Sequence, residues 1–353
     1  MLLALALLCG CGDKGSGDSA ANDGGSADGG GSVDGGGSDS GSDGGGGADG
    51  GGGGGALAEP TRVGSVSGIK AHDVALLGTT GLVAADAAGL VVLDLSDPAH
   101  PVELARVPIG TAYGVALDGT VAWVATWSGD LVAVDLATPS APSQRGSLRL
   151  APHAVGVDAR DGLVGVASWS GTTDPGDDGW GLTLCDVTAP DDPDQLGAVS
   201  TPGTALALAL DDGRAWVADG ERGITPVDLA VPSAMVAGAS LDVGAKAWDV
   251  ASLGDAVVVA ADHAGLVLLS AADGAPLSSL DTLDGDAMGL ALDGSLAWVA
   301  TGGAGLAGVD LSDPLHPDLA WQLSLGGTAT RVALGADLGL VALGDGGVAV
   351  LAR

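Results

Sequence analysis

An acidic loop flanked by tryptophans is the first place in this sequence where chemistry could occur. Asp174, Asp177 and Asp178 lie between Trp169 and Trp180. Aromatic rings beside carboxylates suit a sugar, which they bind by stacking and by hydrogen bonds to hydroxyls. Three close carboxylates could also hold Ca²⁺ through oxygen ligands. A surface hairpin whose tryptophans cover a sheet edge would explain the same residues, so the sugar site and the calcium site stay alternatives.

A second group of aromatic, imidazole and charged residues occupies related positions along the chain. Its members are His72, Tyr113, His153, Trp248 and Arg331, which precede or begin short apolar runs, and Trp127, Trp169 and Trp180, which follow others. Such residues on the loops of a rigid scaffold are typical of a binding face for a protein or glycan. We therefore expect a binding surface, and no cofactor apart from the calcium alternative.

An enzyme is the less favoured interpretation of the same residues. A lactonase-like hydrolase or a dehydrogenase would need an ionisable group in a central channel, with His72, His153 or Asp249 as the first candidates. The sequence contains no Gly-x-Ser-x-Gly nucleophile elbow. No carboxylate or cysteine stands at ligand spacing around His72, His153 or His263, which argues against zinc or copper.

The charge balance excludes one class of partner. The 353 residues include 45 Asp and Glu against 12 Lys and Arg, for a formal net charge of −33. Such a field repels phosphate backbones, so we expect no nucleic-acid ligand. Hydrophobic residues make up 46% of the chain, yet no apolar run approaches the roughly 20 residues of a membrane-spanning helix.

The elements that must position these groups come from one repeated motif. Seven copies align on a position held by Asp94, Asp135, Asp186, Asp228, Ser270, Asp310 and Ala352. Successive copies are spaced by 41, 51, 42, 42, 40 and 42 residues. Each contains about four short apolar runs between Gly, Asp and Pro signals, which predict strands. Four strands in about 41 residues are typical of a propeller blade.

The two ends of the repeated region predict how the ring closes. The seventh copy stops at Arg353, after its third strand, and residues 59–66 resemble the fourth strand of the first copy at 101–107. Pairing the N-terminal strand with the last blade would remove an exposed sheet edge. The sequence therefore predicts an all-β, seven-bladed β-propeller over residues 56–353, with four-stranded blades and a closing blade built from both ends. We expect a monomer.

The motif itself resembles a known repeat. Gly89-Leu-Val-Val-Leu-Asp-Leu-Ser-Asp-Pro98 and its copies are similar to the LVIVD repeat, which forms β-propellers in secreted and surface proteins of bacteria and archaea. The resemblance covers roughly residues 59–353. It is clearest where Ser-Asp-Pro-x-His-Pro is intact, at 96–101 and 312–317. It implies an extracellular or surface location and binding of an undefined ligand.

Several recurring residues fit structural roles. The Asp after each third strand can accept backbone N–H groups in a turn, and His100 and His316 fall inside that turn. Trp123, Trp216 and Trp298 recur at one strand position and are predicted to fill the core. Cys185 lies alone in a predicted strand, as a buried small hydrophobe.

The N-terminus predicts export and lipid anchoring. Residues 1–11 contain a short apolar run followed by Leu8-Cys9-Gly10-Cys11, which resembles a bacterial lipobox with Cys11 as the lipid-bearing residue. No Lys or Arg precedes the run, unlike the usual signal peptide. Residues 12–55 hold 22 Gly, 7 Ser and 8 Asp among 44 positions, which predicts a disordered tether. We expect a lipoprotein at the outer membrane or cell surface of a Gram-negative bacterium, acting as a binding or scaffolding module.

Overall fold

The computed structural model describes residues 57–169 and 181–353. These residues form 28 β-strands and one 3₁₀ turn, Pro232–Ala234. The strands make seven antiparallel four-stranded sheets, arranged as blades in a ring. First strands of neighbouring blades contact one another and surround a central channel, while the fourth strands are outermost. The prediction of an all-β propeller with seven four-stranded blades is confirmed.

Blades 1 to 4 are each built from consecutive strands, running from the inner to the outer edge. Blade 1 contains β2 (Asp73–Leu77), β3 (Thr80–Ala84), β4 (Leu90–Asp94) and β5 (Val102–Val107). Blade 2 contains β6 (Ala112–Asp118), β7 (Val121–Thr126), β8 (Asp130–Asp135) and β9 (Ser143–Arg149). Blade 3 contains β10 (Ala154–Arg160), β11 (Leu163–Ser168), β12 (Gly181–Asp186) and β13 (Asp194–Ser200). Blade 4 contains β14 (Ala207–Asp211), β15 (Arg214–Ala218), β16 (Ile224–Asp228) and the short β17 (Val236–Ala237).

Blades 5 and 6 follow the same plan, and blade 7 combines both ends of the propeller. Blade 5 contains β18 (Asp249–Leu253), β19 (Ala256–Ala260), β20 (Leu266–Ser270) and β21 (Pro276–Leu280). Blade 6 contains β22 (Gly289–Asp293), β23 (Leu296–Ala300), β24 (Leu306–Asp310) and β25 (Asp318–Leu323). Blade 7 contains β26 (Arg331–Leu334), β27 (Leu338–Ala342), β28 (Val348–Ala352) and, as its outer strand, β1 (Thr61–Val66).

The closing blade has the predicted composition. β1 pairs antiparallel with β28, from Thr61 opposite Ala352 to Val66 opposite Val348. The first strand along the chain thereby completes the last blade, so no blade is left with three strands. The predicted signal peptide at 1–11 and tether at 12–55 lie outside the described residues. Among the described residues, no helix is long and apolar enough to cross a membrane.

The turns explain why the repeat keeps Asp and Gly. In blade 3, the hairpin between β10 and β11 turns at Asp161 and Gly162, with φ of 53° and 78°. Positive φ at both central residues is the geometry that matches the twist of a two-residue hairpin. At the end of β4, Asp94 Oδ1 accepts the Ser96 N–H at 2.8 Å. Asp135, Asp186, Asp228 and Asp310 make the same contact two residues ahead, which confirms their structural role.

The hydrophobic core lies between blades. Each of the seven clusters of buried residues joins two neighbouring blades. Trp123, Trp216 and Trp298 are fully buried and pack against the following blade, as predicted for core residues. Cys185 is buried in the cluster that contains Trp123, and this burial raises the pKa of its thiol to about 12. The ring is therefore held by blade-to-blade packing around its whole circumference.

Candidate functional site

Three inner strands carry an aspartate that ties its own blade to the next. One oxygen of each accepts the N–H of the following residue, and the other accepts an N–H of the neighbouring inner strand. The inter-blade partners, at 2.8 to 2.9 Å, are Val115 for Asp73, Leu210 for Asp158 and Leu290 for Asp249. We call Asp73, Asp158 and Asp249 the channel carboxylates. They link blades 1 to 2, 3 to 4 and 5 to 6.

Arg331 of blade 7 completes this arrangement. Its Nη1 donates to the carbonyls of Met288 at 2.6 Å and Thr330 at 3.2 Å, and its Nη2 donates to the Trp248 carbonyl at 3.4 Å. It lines a channel cavity of about 300 Å³ together with the channel carboxylates. The structure thus places Arg331, a predicted ligand-face residue, inside the channel as a link between blades 5, 6 and 7.

Burial dominates the electrostatics of the channel. It raises the pKa of Asp73 to about 6, against the opposing effects of the Arg331 guanidinium and two backbone N–H groups. Burial also raises the pKa of Asp158 and Asp249. Carboxylates with raised pKa values in a cavity are a common sign of catalysis, but structural networks shift pKa values as well. Here both oxygens of each carboxylate already accept backbone hydrogens, which favours the structural role.

The mouth of the channel has a regular backbone. In five blade pairs, the loop after a second strand pairs with an alanine that begins the next inner strand or lies two residues before it. The pairs are Asp86 with Ala112, Gly220 with Ala247, Asp262 with Ala287, Gly302 with Ala329 and Gly344 with Ala71. Between blades 2 and 3, the His153 N–H donates to the Trp127 carbonyl at 2.8 Å. Side chains next to these contacts therefore sit at equivalent places around the mouth.

Two sets of equivalent positions result, and both vary in residue type. At the start of the inner strands, in blade order, stand His72, Tyr113, Val155, Leu206, Trp248, Met288 and Thr330. The spacing of the repeats aligns His153 with this position, but strand pairing makes it the counterpart of Thr111, two residues earlier. In the loop after the second strands stand Asp86, Trp127, Trp169, Gly220, Asp262, Gly302 and Gly344. Together with His153, the aromatic and imidazole rings of the two sets lie in blades 1 to 3, apart from Trp248 in blade 5.

Five of these rings form one continuous cluster, which we call the aromatic shelf. It consists of His72, Tyr113, Trp127, His153 and Trp169, all partly exposed. The His72 and Tyr113 rings are stacked at 4.0 Å and 16°. The ring centre of Trp127 lies 5.0 Å from that of Tyr113, 4.3 Å from that of His153 and 5.5 Å from that of Trp169. The structure thus brings together five of the eight residues predicted for the ligand face.

Local backbone geometry explains how Trp127 can stand in a loop that elsewhere holds Gly or Asp. The equivalent residues Asp86, Gly220, Asp262, Gly302 and Gly344 have φ between 48° and 60°, a region that large side chains avoid. In blade 2 the turn differs, because Thr126 Oγ1 accepts the Asp130 N–H at 2.9 Å. The positive φ at this blade junction falls on His153, at 59°. Its Nδ1 lies 3.1 Å from the Trp169 carbonyl, which fixes the imidazole within the shelf.

Polar groups border the shelf at its blade 1 end. Lys70 Nζ lies 3.5 Å from Asp86 Oδ2, and His72 Nε2 lies 3.8 Å from the same oxygen. Within the described residues, His72 Nε2 is buried without a hydrogen-bond partner. Burial lowers the pKa of His72, and the Asp86 charge acts in the opposite direction. This edge therefore presents a cation, a carboxylate and an imidazole side by side.

Trp248 lies on the other half of the mouth, at the start of the blade 5 inner strand. Lys246 Nζ stands 3.5 Å from the centre of its ring, in a cation–π contact. Burial lowers the pKa of Lys246, with Glu221 and Asp262 acting against that shift. One face of Trp248 is thus already occupied by a cation from the same chain.

The remaining predicted residues lie outside the described part of the chain. They are Trp180, the proposed calcium ligands Asp174, Asp177 and Asp178, and the lipidation residue Cys11. Within residues 57–169 and 181–353, no group of three or more His, Cys, Asp or Glu residues could hold a metal ion. His263, one of the three histidines considered for a metal, is exposed, and its Nδ1 lies 3.8 Å from Asp262 Oδ2.

Sequence reasoning missed two parts of the site. Asp158 was not singled out because Asp73 and Asp249 directly follow His72 and Trp248, whereas Asp158 lies further along its inner strand. Strand pairing places Asp158 opposite Gly165, as it places Ala75 opposite Leu82, so Asp158 stands two residues beyond the position that Asp73 occupies in blade 1. The Lys246–Trp248 pair was missed too. A lysine two residues before an aromatic residue, as also at Lys70 and His72, is the only signal that the sequence carries for it.

Comparison with known proteins agrees with this architecture. The structure is a seven-bladed β-propeller, and the family model described as the LVIVD repeat matches residues 68–108, 109–149 and 284–323. These stretches contain blades 1, 2 and 6, so the chain carries LVIVD repeats as the resemblance implied. A search of curated protein sequences gives no match.

Solved structures share the fold with little sequence identity. "Structure of U3-55K" matches with a TM-score of 0.67 at 10% identity, covering 83% of this chain and 98% of that one. The "WD40 beta propeller domain of Doa1" matches with a TM-score of 0.66 at 11% identity, covering 84% and 98%. The computationally designed Ika8 protein matches with a TM-score of 0.58 at 12% identity, covering 83% and 99%. At such identities the likeness shows the propeller fold alone.

Proposed function

We propose that this propeller is a binding module that holds a protein or glycan ligand on the aromatic shelf. The observation that carries the proposal is the continuity of the five rings across blades 1 to 3. The repeat does not require them, because most equivalent positions in other blades hold Leu206, Met288, Thr330, Gly or Asp, and Trp248 is the ring among them. Partly exposed aromatic clusters on a rigid scaffold are characteristic of recognition surfaces.

The proposal extends to the place where the module acts. The lipobox-like Leu8-Cys9-Gly10-Cys11 and the Gly-rich segment after it support a lipid anchor on Cys11 and a tether of 44 residues. A coil of this composition would reach on the order of 35 to 40 Å. The module would then stand away from the outer membrane or cell surface of a Gram-negative bacterium, where envelope glycans and proteins are its available ligands.

A catalytic function is the second candidate, because of the raised pKa of Asp73 and Asp249 in the channel cavity. A general base must have an oxygen available to the proton it removes. The oxygens of Asp73 and Asp249 each accept a backbone N–H, and Arg331 donates to three carbonyls. These contacts favour a binding module over a hydrolase or dehydrogenase.

The binding proposal is tested with the full chain carrying Cys11→Ala, so that a lipid on Cys11 cannot itself attach the protein to isolated bacterial envelopes. This parent protein should sediment with the envelope fraction, and adding Trp127→Ala should lower its affinity by about tenfold or more. Trp248→Ala, which changes the same residue type on the other half of the mouth, is the matched control and should bind like the parent protein. Equal binding by all three proteins would show that the shelf is not the binding surface.

The anchoring proposal has its own test. Cells that express the full chain are grown with an alkyne-tagged fatty acid, and the protein is recovered and examined for the label. Labelled wild type beside unlabelled Cys11→Ala is the expected result. Export of an unlabelled wild-type protein would refute the lipid anchor and leave the shelf proposal intact.

A further inference from the structure

We infer that the ligand of the aromatic shelf is a neutral glycan, with sugar rings stacked on the exposed faces of Trp127 and Trp169 and hydroxyls bound at the edge formed by Lys70, His72 and Asp86. This inference rests on the proposed function, since it requires the shelf to be the binding surface. It narrows that function from a protein or glycan to one chemical class.

The arrangement of the rings favours a chain of flat units over a single compact ligand. Along the shelf, the ring centres of Tyr113, Trp127 and Trp169 are separated by 5.0 and 5.5 Å, with interplanar angles of 32° and 57°. Successive rings of an oligosaccharide present a comparable series of flat C–H faces in changing orientations. A sugar ring can stack on an aromatic face that is exposed, so an oligosaccharide can make more such contacts than a single sugar.

The same distances argue against a cation in an aromatic cage. A cage holds an ammonium group between ring faces, within about 6 Å of each ring centre. In the shelf, His153 fills the space beside Trp127 and Trp169, at 4.3 and 5.9 Å. These three rings contact one another, which leaves no room for a cation among them. The Lys70 ammonium group at the edge would further repel a positively charged ligand.

The polar edge is matched to hydroxyl groups. Lys70 can only donate hydrogen bonds and Asp86 can only accept them, and their charged atoms are 3.5 Å apart. A charged ligand would be attracted by one group and repelled by the other, whereas neighbouring sugar hydroxyls can both donate and accept. His72 Nε2, buried without a hydrogen-bond partner in the described part of the chain, is a further group for a hydroxyl to satisfy. Its lowered pKa keeps the imidazole neutral near pH 7.

Charge and hydrogen-bonding groups distinguish a neutral glycan from other ligands that stack on aromatic rings. Bases of single-stranded nucleic acids also stack on aromatic platforms. Their phosphates would approach a protein with a net charge of −33, and Asp86 and Asp345 lie near His72. Proline-rich peptides dock on aromatic grooves as well. Their carbonyls could accept a hydrogen bond from Lys70, but proline has no backbone N–H to donate to Asp86, so the Asp86 half of this edge would remain unused.

The test measures binding of defined probes to the full chain by tryptophan fluorescence and calorimetry. The glycan probes are cellohexaose, maltohexaose and chitohexaose, and the comparison probes are a proline decamer and a trimethyllysine peptide. At least one hexasaccharide should bind, and glucose should bind much more weakly than its hexamer. Trp127→Ala and Asp86→Asn should each weaken hexasaccharide binding by about tenfold, while Trp248→Ala should change it by less than about twofold.

The outcomes separate this inference from the proposed function. Failure of all three hexasaccharides to bind, or equal binding by wild type and Trp127→Ala, would overturn the glycan inference. If the proline decamer or the trimethyllysine peptide binds instead and needs Trp127, the shelf is a binding surface for another ligand. If Trp127→Ala also leaves binding to envelopes unchanged, both the glycan inference and the proposed binding function of the shelf are overturned. Circular dichroism and melting temperatures of each variant establish that the fold is retained.

Discussion

The two halves of the channel mouth are built on the same blade framework and differ in their side chains. Each half contains the pairing of a loop after a second strand with an alanine at the entry to the next inner strand, as Asp86 with Ala112 and Asp262 with Ala287. The turn in blade 2, which holds Trp127, departs from it. Blades 1 to 3 add the aromatic shelf to this framework. Blades 4 to 6 add Leu206, Met288 and a Trp248 ring already covered by Lys246. The fold therefore specifies the positions, and the identity of the side chains is free to serve a ligand.

The polar groups of the two halves differ in the same way. In blade 4, the buried Asp219 accepts hydrogen bonds from Thr201 Oγ1, Thr225 Oγ1 and the Gly203 N–H. Its carboxylate is thus satisfied within the protein. On the shelf side, His72 Nε2 has no such partner among the described residues. A buried polar atom without a hydrogen bond costs stability, which a ligand that supplies the bond can recover.

The largest expected effect comes from converting the shelf to the residues of the other half. Trp127→Gly combined with Trp169→Asp gives blades 2 and 3 the loop residue types of blades 4 to 7. Because neither ring is fully buried, the fold should persist, while ligand affinity falls by about 100-fold, or about 3 kcal/mol. Sedimentation with envelopes measures the loss, and the melting temperature reports on folding. Retained affinity in the folded double variant would remove the functional distinction between the halves.

In the channel below the mouth, removing a channel carboxylate should destabilise the two halves to a similar extent. Asp73→Ala leaves the Val115 N–H without its acceptor, and Asp249→Ala does the same to Leu290. Each substitution should lower the free energy of unfolding by about 1 to 3 kcal/mol. Urea denaturation measures both, with the exposed Asp281→Ala as a control expected within about 0.5 kcal/mol of wild type. If only one of the two channel variants has a lower free energy of unfolding, the hydrogen bonds that Asp73 and Asp249 make to the next blade are not equivalent.

The pH dependence of stability should reflect the same carboxylates, with a smaller effect. The pKa of Asp73 is raised from 3.8 to about 6, so the folded state binds a proton more tightly than the unfolded chain. The free energy of unfolding should therefore fall as pH rises from about 4 to about 6, by on the order of 1 to 2 kcal/mol for this group.

Asp73→Asn isolates this contribution from the general repulsion of an acidic protein. The variant cannot ionise at this position, so its unfolding free energy should change less than that of wild type between pH 4 and 6. Urea denaturation at several pH values gives both slopes. Identical slopes would show that Asp73 titrates normally in the folded protein.

The parts of the fold and of the candidate site that the repeat encodes could be predicted from the sequence. The blades were predictable because Gly, Asp and Pro recur at fixed spacing, and so was the closing strand, because residues 59–66 match 101–107. The repeat also identified the variable positions at which His72, Tyr113 and Trp127 stand. The alignment of copies therefore pointed to the mouth, although no residue there belongs to a known motif.

The contacts within the site depend on geometry that the repeat does not encode. Arg331 occupies a variable position, yet its side chain reaches three carbonyls from blades 5 to 7 instead of the ligand face. Asp158 stands two residues further along its inner strand than Asp73 and still reaches the neighbouring inner strand at Leu210. The stacking of His72 on Tyr113 depends on side-chain directions across a blade junction. Such details depend on packing between blades, and the sequence of a single repeat does not specify how its side chains contact the next blade.

The smallest expected effect concerns the contact that covers Trp248. Lys246→Met keeps an unbranched apolar side chain and removes the ammonium group, so the cation–π contact is lost and stability should fall by about 0.5 to 1 kcal/mol. Lys246→Arg, which retains a cation, should lose less. Because uncovering Trp248 adds a single ring and no neighbouring rings, neither variant should gain affinity for a hexasaccharide. A gain in Lys246→Met would show that one exposed ring suffices, and that the continuity of the shelf is not what distinguishes the two halves.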